Sequence, residues 1–168
     1  MNNKQPFFTI ITPIYNGQEY VSTYINTLKK QTFTNWESLI IDDNSTDKSL
    51  ELIFKNIKDD ERFRIIKQDT KKLVKGPYLA RNKGLENAKG KYICFLDIDD
   101  FWEPQKLQRH LYIINKNSKI KLIYGSYIRQ KKNCKRKKIR HPILLKGLRN
   151  TMKYTNVIPM LTTCLKRE

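Results

Sequence analysis

Apolar residues fall into two alternating rhythms along this chain: short β-rich runs, and longer stretches in which they recur every three or four positions. Residues 7–14 (FFTIITPI) predict a strand buried on both faces, with Pro13 near the point where ladder pairing stops. After the turn residues Tyr15-Asn16-Gly17, Tyr20, Val21, Tyr24, Ile25 and Leu28 recur at helical spacing within residues 18–31. Residues 37–41 (ESLII) predict a second strand, followed by a polar turn in which Ser45 or Thr46 can cap a helix. That helix carries Leu50, Ile53 (or Phe54) and Ile57 on its apolar face and ends at Asp59-Asp60-Glu61. Residues 62–67 (RFRIIK) alternate, which predicts a third and less buried strand. A polar connection over 68–76 leads to Pro77, well placed to open a helix that runs to about Ala88, with Gly90 as its terminator. Residues 91–96 (KYICFL) predict a fourth, buried strand. A helix with Leu107, Leu111 and Ile114 on one face follows Pro104, and residues 120–128 (IKLIYGSYI) predict a fifth strand, interrupted by Gly125. Beyond residue 130 no period is discernible.

Strands and helices in alternation imply an α/β fold: a mostly parallel central sheet flanked by helices, with right-handed crossovers. Ligands of such sheets bind outside the carboxyl ends of the strands. Tyr15, Asp42-Asp43 and Asp97-Ile98-Asp99-Asp100 all follow strands at that edge. An aromatic face and two acidic clusters in one crevice suit a nucleotide diphosphate, with Tyr15 against the base, an acid on base or ribose, and a metal on the pyrophosphate.

The run that ends in three carboxylates within four residues, Asp97, Asp99 and Asp100, needs compensation if any of them is desolvated. Asp97 and Asp99 at a strand mouth suit Mg²⁺ or Mn²⁺, because two hard oxygen ligands leave most of the coordination sphere to water and phosphate. An Asp-rich turn ahead of the helix at Pro104 is the other reading of the same residues.

With 168 residues one domain is the default. Apolar content of 39% describes a globular chain, as does a mean hydropathy of -0.67. No apolar run approaches the length of a membrane span. The start, Met1-Asn2-Asn3-Lys4-Gln5, lacks the basic-then-apolar order of a signal peptide, so a cytoplasmic location is expected, with the inner face of the cell membrane as a peripheral option. Cys94, Cys134 and Cys164 lie far apart and fit neither a disulfide framework nor a zinc site, and His110 and His141 have no metal-spaced partner. Part of the formal charge of +18 is general Lys enrichment, but seven of the ten residues 131–140 are basic. This run reads either as a solvated loop or as a patch touching anionic lipid head groups or an acidic glycolipid. No nucleic-acid motif is present, and no nucleic-acid partner is expected.

Five blocks resemble the opening of family 2 glycosyltransferases of the GT-A fold, in that family's order and spacing. They are Thr9-Ile10-Ile11-Thr12-Pro13-Ile14-Tyr15-Asn16, Gln31-Thr32-Phe33-Thr34-Asn35-Trp36-Glu37, Ile41-Asp42-Asp43-Asn44-Ser45-Thr46-Asp47, the Ala80-Arg81-Asn82-Lys83-Gly84 block with Ala88-Lys89-Gly90-Lys91-Tyr92-Ile93, and Phe95-Leu96-Asp97-Ile98-Asp99-Asp100. The resemblance implies a nucleotide site made of Pro13, Tyr15, Asp42, Asp43, Arg81, Asp97 and Ile98. In it Tyr15 stacks on the base, Asp43 bonds the uracil or its ribose, and Arg81 and Asn82 reach the phosphates. It implies Mn²⁺ or Mg²⁺ on Asp99 and Asp97, a nucleotide-sugar donor, and a saccharide or glycolipid acceptor. The implied reaction is inverting transfer from a UDP-sugar. The alternative is a nucleotide-sugar-binding remnant without a general base.

Two departures stand out. Asn44 replaces the usual Gly of the Asp-Asp-Gly-Ser-Thr-Asp block, a mild change because Asn tolerates left-handed backbone. The family's acidic general base lies beyond the segment that residues 161–168 resemble, so it is expected past Glu168. Residues 1–130 are thus expected to be the nucleotide-sugar-binding core. Residues 131–168 would be a basic segment and the start of an incomplete acceptor side, making the fold truncated at its C-terminus.

Overall fold

The computed structural model describes residues 5–68, 76–130, 137–139 and 158–167. Strands β1 (Phe8–Ile14), β2 (Trp36–Asp42), β3 (Phe63–Lys67) and β4 (Tyr92–Phe95) alternate with helices α1 (Val21–Lys29), α2 (Ser49–Ile57) and α3 (Pro77–Asn87), and α4 (Lys106–Lys116) follows. The later strands are short: β5 (Leu122–Ile123), β6 (Tyr127–Arg129), β7 (Lys137–Ile139) and β8 (Cys164–Lys166). A six-stranded sheet runs in the order β3-β2-β1-β4-β8-β5. Its first four strands are parallel, and β8 is antiparallel to both of its neighbours.

The alternation of side chains along β1 divides the core. Phe8, Ile10 and Ile14 join Val21, Tyr24, Ile25 and Leu28 of α1 and Ile53 of α2 on one face. Ile11 packs with Leu39, Ile41, Ala80 and Ala88 on the other. Both faces of the sheet are covered, so β2 is buried along its whole length and β1 along all but Pro13. Each buried Ile or Leu contributes about 1.5–3 kcal/mol of transfer free energy. Ile53 is fully buried and Phe54 is 59% exposed, so the α2 face that the sequence left open between them belongs to Ile53.

Close approach explains two glycines. A Cβ on Gly84 of α3 would come within 2.4 Å of Ile11 Cγ2, and one on Gly90 within 2.4 Å of the Thr9 nitrogen. Helix α3 can lie against β1, and the turn into β4 can cross it, only because neither residue has a side chain.

The structure departs from the sequence expectations in several places. Residues 120–128 are not one strand: β5 joins the main sheet, the chain turns away at 124–126, and β6 pairs with β7 in a separate two-stranded sheet. Residues beyond 130 do hold a strand of the main sheet, β8, which inserts between β4 and β5. Neither Ser45 nor Thr46 caps α2; Asp47 Oδ1 accepts the Ser49 N–H at 2.9 Å instead. Cys94 and Cys164, distant in sequence, are register partners across β4 and β8, and His110 is buried beside them. The expectations for residues 131–136 and 140 of the basic run, for Cys134, His141 and Glu168, lie outside the described residues. No helix among the described residues is long and apolar enough to cross a membrane.

Candidate active site

The carboxyl ends of β1, β2 and β4 converge because the three strands are adjacent and in parallel register, Ile14 opposite Asp42 and Ile11 opposite Phe95. Two loops leaving this edge are stitched together by side chains. Asn16 sits at φ 49, and its Oδ1 accepts N–H bonds from Thr46 at 2.8 Å and Asp47 at 3.3 Å. Its own N–H donates to Ser45 Oγ at 3.1 Å, and the Gly17 N–H donates to Ser49 Oγ at 2.9 Å. Asp47 completes the brace by accepting from the Gln18 N–H at 3.1 Å. Slight burial would raise its carboxyl, but bonds from the Ser49 hydroxyl and N–H and from Gln18 outweigh that and hold it below the usual carboxylate range. Asn44 has φ 63, a left-handed backbone that Gly or Asn adopts most readily. These bracing roles are not apparent in the sequence, although the residues fall in or beside two of the blocks, 9–16 and 41–47.

Above the brace lies a cavity of about 740 Å³. Of the residues expected to bind nucleotide or metal, Pro13, Tyr15, Asp43, Arg81, Asp97, Ile98 and Asp99 line it. Gly76, Pro77 and Ala80 at the start of α3 form a further wall. Asp42 does not line it: that residue is buried, and its Oδ1 accepts the Ser45 N–H at 3.1 Å, shaping the loop from beneath. Asn82 is exposed on α3, away from the cavity lining.

Tyr15 presents a side chain that is 63% exposed at the cavity wall. Asp97 begins a tight turn in which the Asp100 N–H donates to its carbonyl at 3.0 Å. The Asp97 side chain accepts a 2.6 Å bond from Arg81 Nη2. Arg81 is thereby fixed at the cavity, and its Nε–H has no acceptor among the described residues. Asp99 is exposed, and among the described residues it forms no salt bridge. The donor set fits a hard divalent cation: one free carboxylate, and a second with an oxygen to spare.

Asp100 reports the cost of this crowding. Burial first, then the Asp99 and Asp97 carboxylates, push its carboxyl up to about 6. A folded-state value above the unfolded one means that the native state binds the proton more tightly. Stability from this group therefore falls as pH rises from about 4 to about 6 and stays lost above. Asp100→Asn is expected to raise the melting temperature of the metal-free protein by about 2–4 °C at neutral pH, and to leave it unchanged near pH 4. This corresponds to about 1 kcal/mol after discounting for half-exposure. Differential scanning fluorimetry in EDTA at the two pH values checks it.

A second cavity, of about 450 Å³, opens on the Asp100 side of the same turn and is lined by Phe101, Trp102, Lys106, Tyr124 and Tyr127 among others. The sequence does not disclose these aromatic walls, because Tyr124 and Tyr127 fall within residues 120–128, which read as one strand.

Comparison with known proteins identifies the fold and the family. The profile described as Glycosyl transferase family 2 matches residues 9–165. An uncharacterized glycosyltransferase of Haemophilus influenzae is 40% identical over 122 residues, 73% of this chain and 47% of the relative. The UDP-Glc:alpha-D-GlcNAc-diphosphoundecaprenol beta-1,3-glucosyltransferase WfgD of Escherichia coli is 38% identical over 120 residues, 71% of this chain and 45% of the relative. S. aureus TarS 1-349 in complex with UDP-GlcNAc aligns with a TM-score of 0.59 at 29% identity, over 66% of this chain and 32% of that one. The chain spans under half the length of these two curated relatives. A mixed α/β sheet whose parallel strands end at one ligand edge, matched by the family profile over nearly its whole length, makes this chain a member of glycosyl transferase family 2 with the GT-A fold.

Proposed function

We propose that this chain binds a UDP-sugar with Mn²⁺ or Mg²⁺ and transfers the sugar, with inversion, to a hydroxyl of a lipid-linked or surface saccharide. The observation that carries the proposal is the meeting of Tyr15, Asp43, Arg81, Asp97 and Asp99 on one cavity of about 740 Å³, a size suited to a nucleotide sugar. WfgD is named for a UDP-Glc donor and a diphosphoundecaprenol-linked acceptor, and TarS binds UDP-GlcNAc; both support the choice of donor and acceptor class.

In this reading Tyr15 offers its exposed ring to the uracil, and Asp43 accepts a hydrogen bond from the base or ribose. Asp99 and the second oxygen of Asp97 would hold the cation, which supplies Lewis-acid stabilisation of the negative charge that gathers on departing UDP. Arg81, oriented by its 2.6 Å bond to Asp97, adds donors toward the same phosphates. The aromatic cavity beyond Asp100 would receive the acceptor sugar, whose ring faces stack on the exposed Phe101 or on Tyr127.

Thermal-shift screening with UDP-, GDP- and dTDP-sugars in the presence of Mn²⁺ tests the donor site. A UDP-sugar at 100 times its Kd should stabilise the protein by about 2.7 kcal/mol, raising the melting temperature by several degrees. No shift with any donor would overturn the reading. Acceptor-stimulated release of UDP then separates a transferase from a module that only binds the donor.

A further inference from the structure

A second cluster of donor atoms lies in the core where β4, β8 and α4 meet. Cys94 of β4, His110 of α4 and Cys164 of β8 are all buried, and their ligand atoms lie within 4.8 Å of one another. Backbone pairing brings the two sulfurs together. The Arg167 N–H donates to the Lys91 carbonyl at 2.9 Å, so in the alternating antiparallel ladder Cys94 and Cys164 form a non-hydrogen-bonded pair, whose side chains stand closest. Helix α4 turns His110 onto the same point. Its Nδ1 is buried and has no hydrogen-bond partner among the described residues, and its Nε2 lies a long 3.4 Å from Lys106 Nζ. A buried imidazole with an unsatisfied nitrogen beside two thiols is an arrangement that hydrophobic packing alone does not call for.

We propose that Cys94, His110 and Cys164 form a binding site for a thiophilic d¹⁰ cation, with Zn²⁺ as its probe. Two thiolates and one imidazole are a soft donor set that selects such ions over the Mg²⁺ or Mn²⁺ suited to carboxylates. Tetrahedral zinc, with bonds of about 2.0–2.3 Å, holds such donors roughly 3.5–3.8 Å apart, so small side-chain adjustments within the observed 4.8 Å suffice. His110 and Lys106 also line the cavity of about 450 Å³, which gives the ion an entry path and leaves a fourth position to water from that side. The site joins three segments far apart in sequence and ties β8, the strand inserted between β4 and β5, to the donor-binding core. It uses none of the donor atoms proposed for the cation at Asp97 and Asp99, although it opens on the same cavity of about 450 Å³ as the proposed acceptor site.

The test is an anaerobic cobalt titration of the reduced full chain carrying Cys134→Ala, so that the buried pair supplies the only thiols. The expected result is a sulfur-to-cobalt charge-transfer band that saturates at one equivalent and is displaced by Zn²⁺. Cys94→Ser should abolish it and His110→Ala should weaken binding at least tenfold. The absence of a band in the folded parent chain would overturn the proposal whatever the variants do. So would a band that survives Cys94→Ser, or isolation of a Cys94–Cys164 disulfide that leaves no thiols to titrate after unfolding. Magnesium should give no competition even at large excess.

Discussion

Asp99→Ala is expected to weaken Mn²⁺-dependent binding of UDP by about 30- to 1000-fold, which corresponds to about 2–4 kcal/mol for removing one partner of a close charge contact. The residue is exposed at the cavity edge and forms no salt bridge among the described residues, so truncation leaves no buried charge behind and the fold should be unaffected. Isothermal titration with UDP in Mn²⁺ and again in EDTA reads the effect. In EDTA the parent and the variant should bind alike, through Tyr15, Asp43 and Arg81. Asp97→Ala behaves differently because it also releases Arg81 from a 2.6 Å pairing; it should weaken UDP in both conditions. If Asp99→Ala left the manganese-dependent binding intact while Asp97→Ala removed it, the assignment of the principal metal ligand would be reversed.

The parallel half of the sheet was legible because period-2 and period-3.6 patterns alternate cleanly from residue 7 to residue 116, and βα repetition admits few topologies. The edge where the site forms followed from topology alone. What the sequence concealed depends on contacts between distant segments. Strand β8 has three residues, too few for a period to register, and it exists because β4 and β5 supply partners on both sides. For the same reason Cys94 and Cys164 read as unrelated until pairing put them in register. Gly125 marks an interruption in the sequence, yet its outcome, a chain leaving one sheet for another, depends on residues 137–139. Asp42 and Asp43 are indistinguishable as a dipeptide. Strand alternation sends one carboxylate inward to Ser45 and leaves the other lining the cavity.

Glu37 shows how a charged residue inside the resemblance can be structural, and its replacement carries the largest stability effect expected here. It lies on β2 with only 6% of its surface exposed. Its Oε1 accepts from the Thr9 hydroxyl at 2.7 Å and from the Lys89 N–H at 2.7 Å, and its Oε2 accepts from Arg64 Nη1 at 3.1 Å. Thr9 Oγ1 in turn accepts the Gly90 N–H at 2.7 Å. One carboxylate thus ties β1, β2, β3 and the turn that feeds β4, where the missing side chain of Gly90 permits the close crossing. Glu37→Ala strands three donors, of which the Thr9 hydroxyl is fully buried and the other two partly so. Breaking such a network costs about 3–5 kcal/mol, or roughly 6–20 °C in melting temperature for a chain of this size. Glu37→Gln keeps the shape and one acceptor but loses the ion pair with Arg64, at about 1–3 kcal/mol. Calorimetric melting of the two variants reads the difference, and folded Glu37→Gln should bind UDP within about twofold of the parent, because Glu37 does not line the cavity. A loss of UDP affinity in a variant that melts like the parent would move Glu37 from the scaffold to the site.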